Sequence, residues 1–368
     1  MAKAQYQIIT NALMEQIRKG KFKPGDRIPS ASELCDTYSV SQITALRVFK
    51  ELTSGNFISK KEGRGYYVKG SSSANKPELL RGAIGSLLRP LRPWQVDDNY
   101  FNEINCAVQN EAGTRRLNLL WTYACSPLNE HYAPPHHLQL EMQRAALAMA
   151  NKVDGFLLDE RIADDVIAAI QKQTRKPMVL INRKSRLPVD TVNPANMQGA
   201  MKMAETAIKF GYEYFIICES GDVCVQERGG YFRQFLLKNG IMEERIAHVH
   251  GCHINPHDVS MNTLFSHIAT GKKKNLRTFI FCVTDSFARS ICREVKFSEM
   301  KPGKDFGLSG FGGFGQATME APELATVDIK STDMGILAVD KLLYKIANPF
   351  VETANHTPDF ELRFGETM

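Results

Sequence analysis

Side chains able to hold a metal crowd together in His248-Val249-His250-Gly251-Cys252-His253, with His257 nearby. On a strand the alternation puts His248, His250 and Cys252 on one face, as a tetrahedral transition-metal site would require. The simpler reading is a strand end followed by a pocket loop, and no metal is expected. His131, His136 and His137 lie in a proline-containing loop and read as solvated. Gly310-Phe311-Gly312-Gly313-Phe314-Gly315 has the composition of a phosphate-cradling loop, yet no Lys-Ser/Thr follows and no capped helix begins there, so nucleotide binding is not expected. No Ser-His-Asp or Cys-His order reads as catalytic. No catalytic residue and no cofactor are assigned, and the chain is not expected to be an enzyme.

Polyanion chemistry is legible in the charge distribution. The 368 residues carry a net charge of +6, from 46 basic and 40 acidic side chains. Residues 1–75 hold 12 Lys/Arg against 6 Asp/Glu, which leaves 34 of each in the remainder. The whole surplus therefore lies in the first fifth, and a basic small domain beside a neutral large one fits a nucleic acid as partner. The length favours two or three domains, and 43% hydrophobic with 23% charged residues is ordinary for packed globular cores. No apolar run reaches the roughly 18 residues of a membrane span, and Met1-Ala2-Lys3-Ala4-Gln5 lacks the apolar core of a signal peptide, so a cytoplasmic protein without membrane contact is expected. The eight cysteines are scattered, with no Cys-x-x-Cys pair, and read as reduced, small core side chains.

The elements that must position such chemistry follow from periodicity. Ile8, Ile9, Ala12, Leu13, Met14 and Ile17 mark a first amphipathic helix over 4–19, stopped by Gly20. After a Pro24-Gly25 turn, Ser30 and Glu33 form a capping box for a short second helix from about Ala31. Tyr38-Ser39-Val40-Ser41 supplies a turn and a new cap, and Ile43, Ala45, Leu46, Val48, Phe49 and Leu52 mark a third helix ending near Gly55. Two strands then flank Glu62-Gly63-Arg64-Gly65. Together these make a winged helix-turn-helix over residues 1–69. Gly70 to Pro77 has linker composition, and the boundary is placed at 70–80. Over 81–368, strands near 82–88, 116–124, 154–159, 177–181, 213–219, 246–251, 277–283 and 305–311 alternate with helices near 98–112, 138–151, 162–173, 196–210, 230–239, 257–269, 286–298 and 331–347. Such alternation means α/β architecture with parallel sheets, here in two lobes.

Pro24-Gly25-Asp26-Arg27-Ile28-Pro29-Ser30, Glu33-Leu34, Val40-Ser41 and Gly63-Arg64-Gly65 resemble the GntR-type winged-helix family in order and spacing. The resemblance implies that Ser41, Gln42, Ile43 and Thr44 face bases and that Arg47 and Lys50 meet phosphate. Arg64 and Gly65 would form the wing tip, while Ser30 and Ser32 belong to the DNA-contacting set at the start of the second helix. Family arginines are replaced by Ser32, Gln42 and Leu46, so an operator different from the family's commonest is expected, with Gln42 suited to an adenine edge.

Val153 to Leu158, Pro177 to Arg183, Asn196 with Gly199-Ala200, Arg228 with Phe232 and Gly240-Ile241, Phe281 to Asp285, Gly307 to Phe311 and Ala325 to Asp328 resemble, in family order, the lactose-repressor (LacI) effector domain. That domain is periplasmic-binding-protein-like: two lobes joined by three crossings, with ligand held between the carboxyl ends of the strands. The resemblance makes Arg228 and Asp285 the leading effector contacts, with Trp94, Tyr100, Phe101, Asn182, Arg183 and His253 beside them. A carboxylate that accepts hydroxyl protons and a guanidinium that donates to oxygens suit a polyol, and Trp94 and Tyr100 suit a sugar face. Thr284 and Gly312-Gly313-Phe314-Gly315 depart from the family pattern, so a rebuilt pocket floor is expected. Together the two resemblances, an arrangement similar to bacterial arabinose-type repressors, imply a homodimeric repressor of operator DNA controlled by a small-molecule effector, with a sugar the expected class. The rival readings are a solute-binding protein or a sugar-acting enzyme using the same cleft.

Overall fold

A computed structural model describes residues 5–18, 21–23, 25–54, 57–61, 65–68, 81–89, 99–122, 136–219, 223–250, 259–296, 300–314 and 322–368. The expected linker, Arg64, Trp94, Cys252, His253 and His257 lie outside them.

Helices α1 (Gln5–Arg18), α2 (Ala31–Tyr38) and α3 (Gln42–Ser54) precede an antiparallel hairpin of β1 (Ile58–Lys61) and β2 (Gly65–Val68). The capping box starts α2 as expected: the Ser30 hydroxyl accepts from the Glu33 N–H at 3.3 Å, and the Ser30 N–H donates to the Glu33 carboxylate at 2.6 Å. The chain before α2 closes on the hairpin, because the N–H of Ile28 donates to the carbonyl of Tyr66 and that of Val68 to Asp26. Ile9, Leu13, Leu34, Ala45, Val48, Phe49, Leu52 and Ile58 form one small core, and Tyr66 stacks on Phe49 at 4.4 Å. Full burial of each large apolar side chain contributes about 1.5–3 kcal/mol, so this short list accounts for much of what holds so small a unit together. Phe350 also lies against this core, beside Tyr6, Thr10 and Glu51.

The larger part begins with β3 (Ala83–Leu87), α4 (Asn99–Thr114), β4 (Asn118–Trp121), α5 (His136–Met149), β5 (Gly155–Leu158), α6 (Asp164–Thr174), β6 (Met178–Ile181) and β7 (Asp190–Val192). It continues through α7 (Asn196–Lys209), β8 (Tyr214–Cys218), α8 (Val223–Lys238), β9 (Ile246–Val249), α9 (Val259–Lys273), β10 (Thr278–Cys282), α10 (Asp285–Val295) and β11 (Gly307–Phe311). The last elements are β12 (Ala325–Asp328), α11 (Ser331–Ala347), β13 (Asn355–His356) and β14 (Glu361–Arg363).

Among the described residues two six-stranded sheets result, in the orders β13-β7-β6-β5-β3-β4 and β14-β12-β11-β10-β8-β9. All pairings are parallel except that of β12 with β14. Alternation along β5 shows how each sheet is covered on both faces: Phe156 and Leu158 pack with α5 and α6, whereas Leu157 packs with α4 and α11. In the second lobe α7 and α8 cover one face and α9 and α10 the other. The chain passes between lobes from β7 to α7, from β12 to α11 and from β13 to β14. These are the three crossings the resemblance implied.

Three expectations are corrected. Helix α8 starts at Val223 rather than near residue 230, so Arg228 and Gly229-Gly230 lie within it. β7 and β12 to β14 were absent from the expected strands: β7, β13 and β14 are two or three residues long, too short for a periodic signal, and β12 is four residues long, no shorter than β5 or β6, which were expected. Cys218, Cys282 and Cys292 are buried as expected, but Cys106 on α4 is exposed.

Candidate functional site

The N-terminal unit presents one solvent-facing stripe on α3, formed by Gln42, Ile43, Leu46, Arg47 and Lys50. Ile43 is 80% exposed and Leu46 51%, although periodicity placed both among the core-marking positions. Ala45, Val48, Phe49 and Leu52 carry the buried face instead. Three of the expected contact residues are engaged in capping. Ser30 caps α2, Ser41 accepts from the Thr44 N–H at 3.3 Å, and the Ser41 and Thr44 hydroxyls are 2.9 Å apart. Ser32 is exposed on α2. The Arg47 guanidinium lies 4.0 Å from the centroid of the Tyr6 ring.

Gly65, with φ +97°, begins the second wing strand in the region that favours glycine. Arg27 was quoted in the motif without a role. It is exposed, and its Nε lies 3.2 Å from where a Cβ on Gly65 would stand, which sets a cation beside the turn end of the wing.

In the larger part, polar groups gather where the strands of the two parallel sheets end, as open α/β sheets generally arrange them. The first lobe centres on Asp159, directly after β5. Its carboxylate accepts from Arg89 Nε at 3.1 Å and Arg161 Nε at 2.8 Å, and from both backbone N–H groups at 3.0 Å. All three side chains are buried. Burial would raise the Asp159 pKa, but the two guanidinium charges outweigh it and hold the carboxyl well below its usual range.

Arg89 also bonds Glu160 at 2.6 Å and lies 3.3 Å from the centroid of the Phe101 ring. Asn182, at φ +67° directly after β6, donates to Glu160 and accepts from the Tyr100 hydroxyl at 2.6 Å. Tyr100, Phe101 and Asn182 therefore join one network. Arg183 is turned to the neighbouring loop, donating to the carbonyls of Glu160 at 2.9 Å and Ile162 at 2.7 Å and pairing with Asp164 at 2.8 Å. Sequence reasoning missed Arg89, Asp159, Glu160 and Arg161, although charges directly after two apolar strands were the available signal.

The second lobe supplies Arg228 and Asp285, both buried. Arg228 donates to Asn196 at 2.9 Å and to the carbonyl of Val283 at 2.8 Å, over the Phe311 ring. Asp285 opens α10 and accepts from Thr326 at 2.6 Å and from the Phe314 N–H at 2.7 Å. The Gly310–Phe314 segment thus packs against the carboxylates of Asp285 and Asp328. A Cβ on Gly310 would come within 2.0 Å of Asp285, and one on Gly313 within 2.6 Å of Asp328. Next to this turn a cavity of about 210 Å³ is lined by Asp328, Lys330, Ser331 and Arg363 together with Glu103 of the first lobe. Lys184 and Glu227, 3.1 Å apart, bridge the lobes at an exposed position.

Burial raises the Asp285 pKa, against the opposing effects of Thr326, the Phe314 N–H, Arg289 and Arg228. The folded chain then holds this proton more tightly than the unfolded one. The associated stability is complete below the ordinary carboxylate pKa, about 4, and is lost as the pH rises through the raised folded value. Asp285→Asn keeps the shape and cannot ionise. It is expected to flatten the melting temperature across that window, and an unchanged pH profile would contradict this account.

Comparison with known proteins agrees with the geometry. Residues 5–68 match the model of bacterial regulatory proteins, gntR family, and residues 95–360 match that of periplasmic binding proteins and sugar binding domain of LacI family. The mannosyl-D-glycerate transport/metabolism system repressor of Escherichia coli (strain K12) is 34% identical over 67 residues, 18% of this chain and 28% of the relative. The HTH-type transcriptional repressor YtrA of Bacillus subtilis (strain 168) is 30% identical over 95 residues, 26% of this chain and 71% of the relative. These homologues are transcriptional regulators. The chain spans little more than a quarter of the first relative's length.

Among solved structures, a CelR–cellobiose complex aligns at TM-score 0.62 and 14% identity, covering 89% of this chain and 92% of that one. A LacI family regulator from Enterococcus faecium with bound ribose aligns at TM-score 0.59 and 14% identity, covering 77% and 98%. At such identities the likeness shows the fold. No helix among the described residues is long and apolar enough to cross a membrane. With 95–360 matched in one family and 5–68 in the other, the chain belongs to the periplasmic-binding and LacI sugar-binding family and carries a gntR-type regulatory domain before it.

Proposed function

We propose that this protein is a sequence-specific transcriptional regulator, acting as a repressor, whose affinity for operator DNA is set by a sugar bound between the lobes. One observation carries the reading: a single chain joins an exposed stripe on α3, in a basic winged helix, to two lobes whose strand ends present buried polar half-sites. Residues 1–69 form the reader, 70–80 the linker and 81–368 the effector and dimerisation domain. Gln42, Ile43, Thr44 and the neighbouring Leu46 meet base edges, Lys50 and Arg47 meet phosphates, and Arg64 contacts DNA as the wing-tip cation, with Arg27 as a second cation. Tyr100, Asn182, Arg228 and Asp285 surround the effector, on a rim built by Arg89, Asp159 and Glu160.

In a homodimer each reader takes half of a palindromic site, and lobe closure changes the separation of the two readers. The relatives' descriptions as repressors, and the ribose and cellobiose in the related structures, support this reading. So does Phe350, which follows α11 in the first lobe and packs against the reader. It offers a contact through which lobe movement reaches α1 and α3. The protein is proposed to work in the cytoplasm.

The test is a gel shift with the DNA upstream of its own gene, with and without a panel of monosaccharides and sugar phosphates. Retardation is expected at low salt and should weaken steeply with added salt, as phosphate contacts release counterions. One panel member should raise the melting temperature and change DNA affinity by about 5- to 150-fold, the usual size of such coupling. Failure to retard that DNA, or consumption of the sugar, would overturn the proposal.

A further inference from the structure

Glu219, directly after β8, meets two imidazoles of the adjacent edge strand. Its carboxylate oxygens lie 3.5 Å from His248 Nδ1 and 3.0 Å from His250 Nδ1, and the three ligand atoms fall within 4.8 Å of one another. The two rings are nearly parallel, 11° apart with centroids 5.8 Å apart, and present the same nitrogen to one carboxylate, His248 to Oε1 and His250 to Oε2.

The backbone sets this convergence. His248 pairs with Ile217 in the β8–β9 register, and the Glu219 N–H donates to the Val249 carbonyl at 2.8 Å, which brings the strand end beside the histidines. Alternation along the strand then puts His248 and His250 on one face. A separate feature makes room for the carboxylate: a Cβ on Gly229 of α8 would stand 2.6 Å from Glu219 Oε1.

We infer that Glu219, His248 and His250 form a binding site for a divalent transition-metal ion, Zn²⁺ or a close relative, at the lip of the second lobe. Zinc takes imidazole and carboxylate donors at about 2.0–2.2 Å, so donors in a tetrahedral shell stand roughly 3.3 Å apart. The carboxylate stands close to that spacing from each imidazole, 3.5 Å from His248 through Oε1 and 3.0 Å from His250 through Oε2, and with all three donors within 4.8 Å an ion would draw them together by small side-chain rotations. Two imidazoles and one carboxylate select zinc, cobalt or nickel over magnesium and calcium, which prefer all-oxygen shells. Three protein donors leave a fourth position for water or another small ligand. His250 is 73% exposed at its side chain, so the ion has an open path from solvent. The simpler alternative is a carboxylate that only accepts hydrogen bonds from two neutral imidazoles, and it predicts no tight metal binding.

The test uses the purified full chain, stripped with chelator and titrated with Co²⁺. One equivalent should bind with the strong visible absorption of a tetrahedral cobalt centre, and Zn²⁺ should bleach it. His250→Ala removes a ligand at an exposed position and should leave the melting temperature of the stripped protein unchanged. Disturbing groups that merely orient metal ligands already costs about 10- to 100-fold in affinity, so loss of a ligand should cost about 100-fold or more. Glu219→Gln should weaken binding in the same direction. The inference is overturned if Co²⁺ gives no tetrahedral spectrum, or if the His250→Ala and Glu219→Gln proteins titrate like the parent. The outcome does not depend on whether the protein binds DNA or sugar.

Discussion

An Ile43→Glu protein is expected to melt like the parent and to lose about a hundredfold or more in affinity for its DNA. The two halves of this expectation have opposite electrostatic origins. Ile43 is 80% exposed in the first turn of α3, so its replacement removes almost no buried area. A carboxylate in a first helical turn also interacts favourably with the helix dipole, by about 0.3–1 kcal/mol. On DNA the same carboxylate would face phosphates and acceptor-lined base edges. Like-charge juxtaposition in an interface costs several kcal/mol, and about 1.4 kcal/mol is a factor of ten. Gel shift or anisotropy at fixed low salt, alongside a thermal melt, separates the two effects. Wild-type affinity in the variant would remove α3 as the reading helix.

Asp159→Ala is expected to cost about 3–5 kcal/mol of folding stability, the usual result of removing one partner from a buried charge cluster. Arg89 and Arg161 are 6% and 7% exposed, and both direct Nε at this carboxylate, so alanine would leave two buried cations without it. The pH sign is opposite to that of Asp285. The Asp159 pKa is depressed in the folded chain, so its contribution is present above the unfolded value, about 4, and is lost as the pH falls below it. Urea melts at neutral pH should therefore show the full loss, and parent and variant should converge on acidification. A neutral-pH loss under about 1 kcal/mol would show that the cluster is not holding the first lobe together. Because Arg89 stacks on Phe101 and bonds Glu160, the same change should also loosen the rim around Asn182.

The architecture was largely legible in the chain. Capping residues, apolar periodicity and charge asymmetry act locally, through hydrogen bonds and burial patterns that recur every two or three to four residues. The Ser30–Glu33 box, the two-sided burial of β5 and the confinement of excess charge to the first fifth all survive in the folded molecule. The short strands β7, β13 and β14 did not announce themselves, since two or three residues cannot establish a period. Periodicity also misjudged Ile43 and Leu46, because α3 leaves on its solvent-facing side apolar side chains that hydrophobicity alone assigns to a core.

The sites divide along the same line. The residue types near each strand end could be named from the order of the chain, including Tyr100, Asn182, Arg228 and Asp285. Which of their atoms are committed to one another could not. Arg183 turns to the neighbouring loop after β5, Asp285 braces a glycine turn, and the Asp159 cluster joins side chains up to 72 residues apart across β3 and β5. Glu219 had no sequence signal linking it to His248 and His250, about 30 residues onward, until the pairing of β8 with β9 placed them together. Local pattern determined the elements, their order and the kind of partner each unit suits. Only parallel strand pairing, which brings distant carboxyl ends to one edge, decided which charges meet and therefore where their chemistry lies.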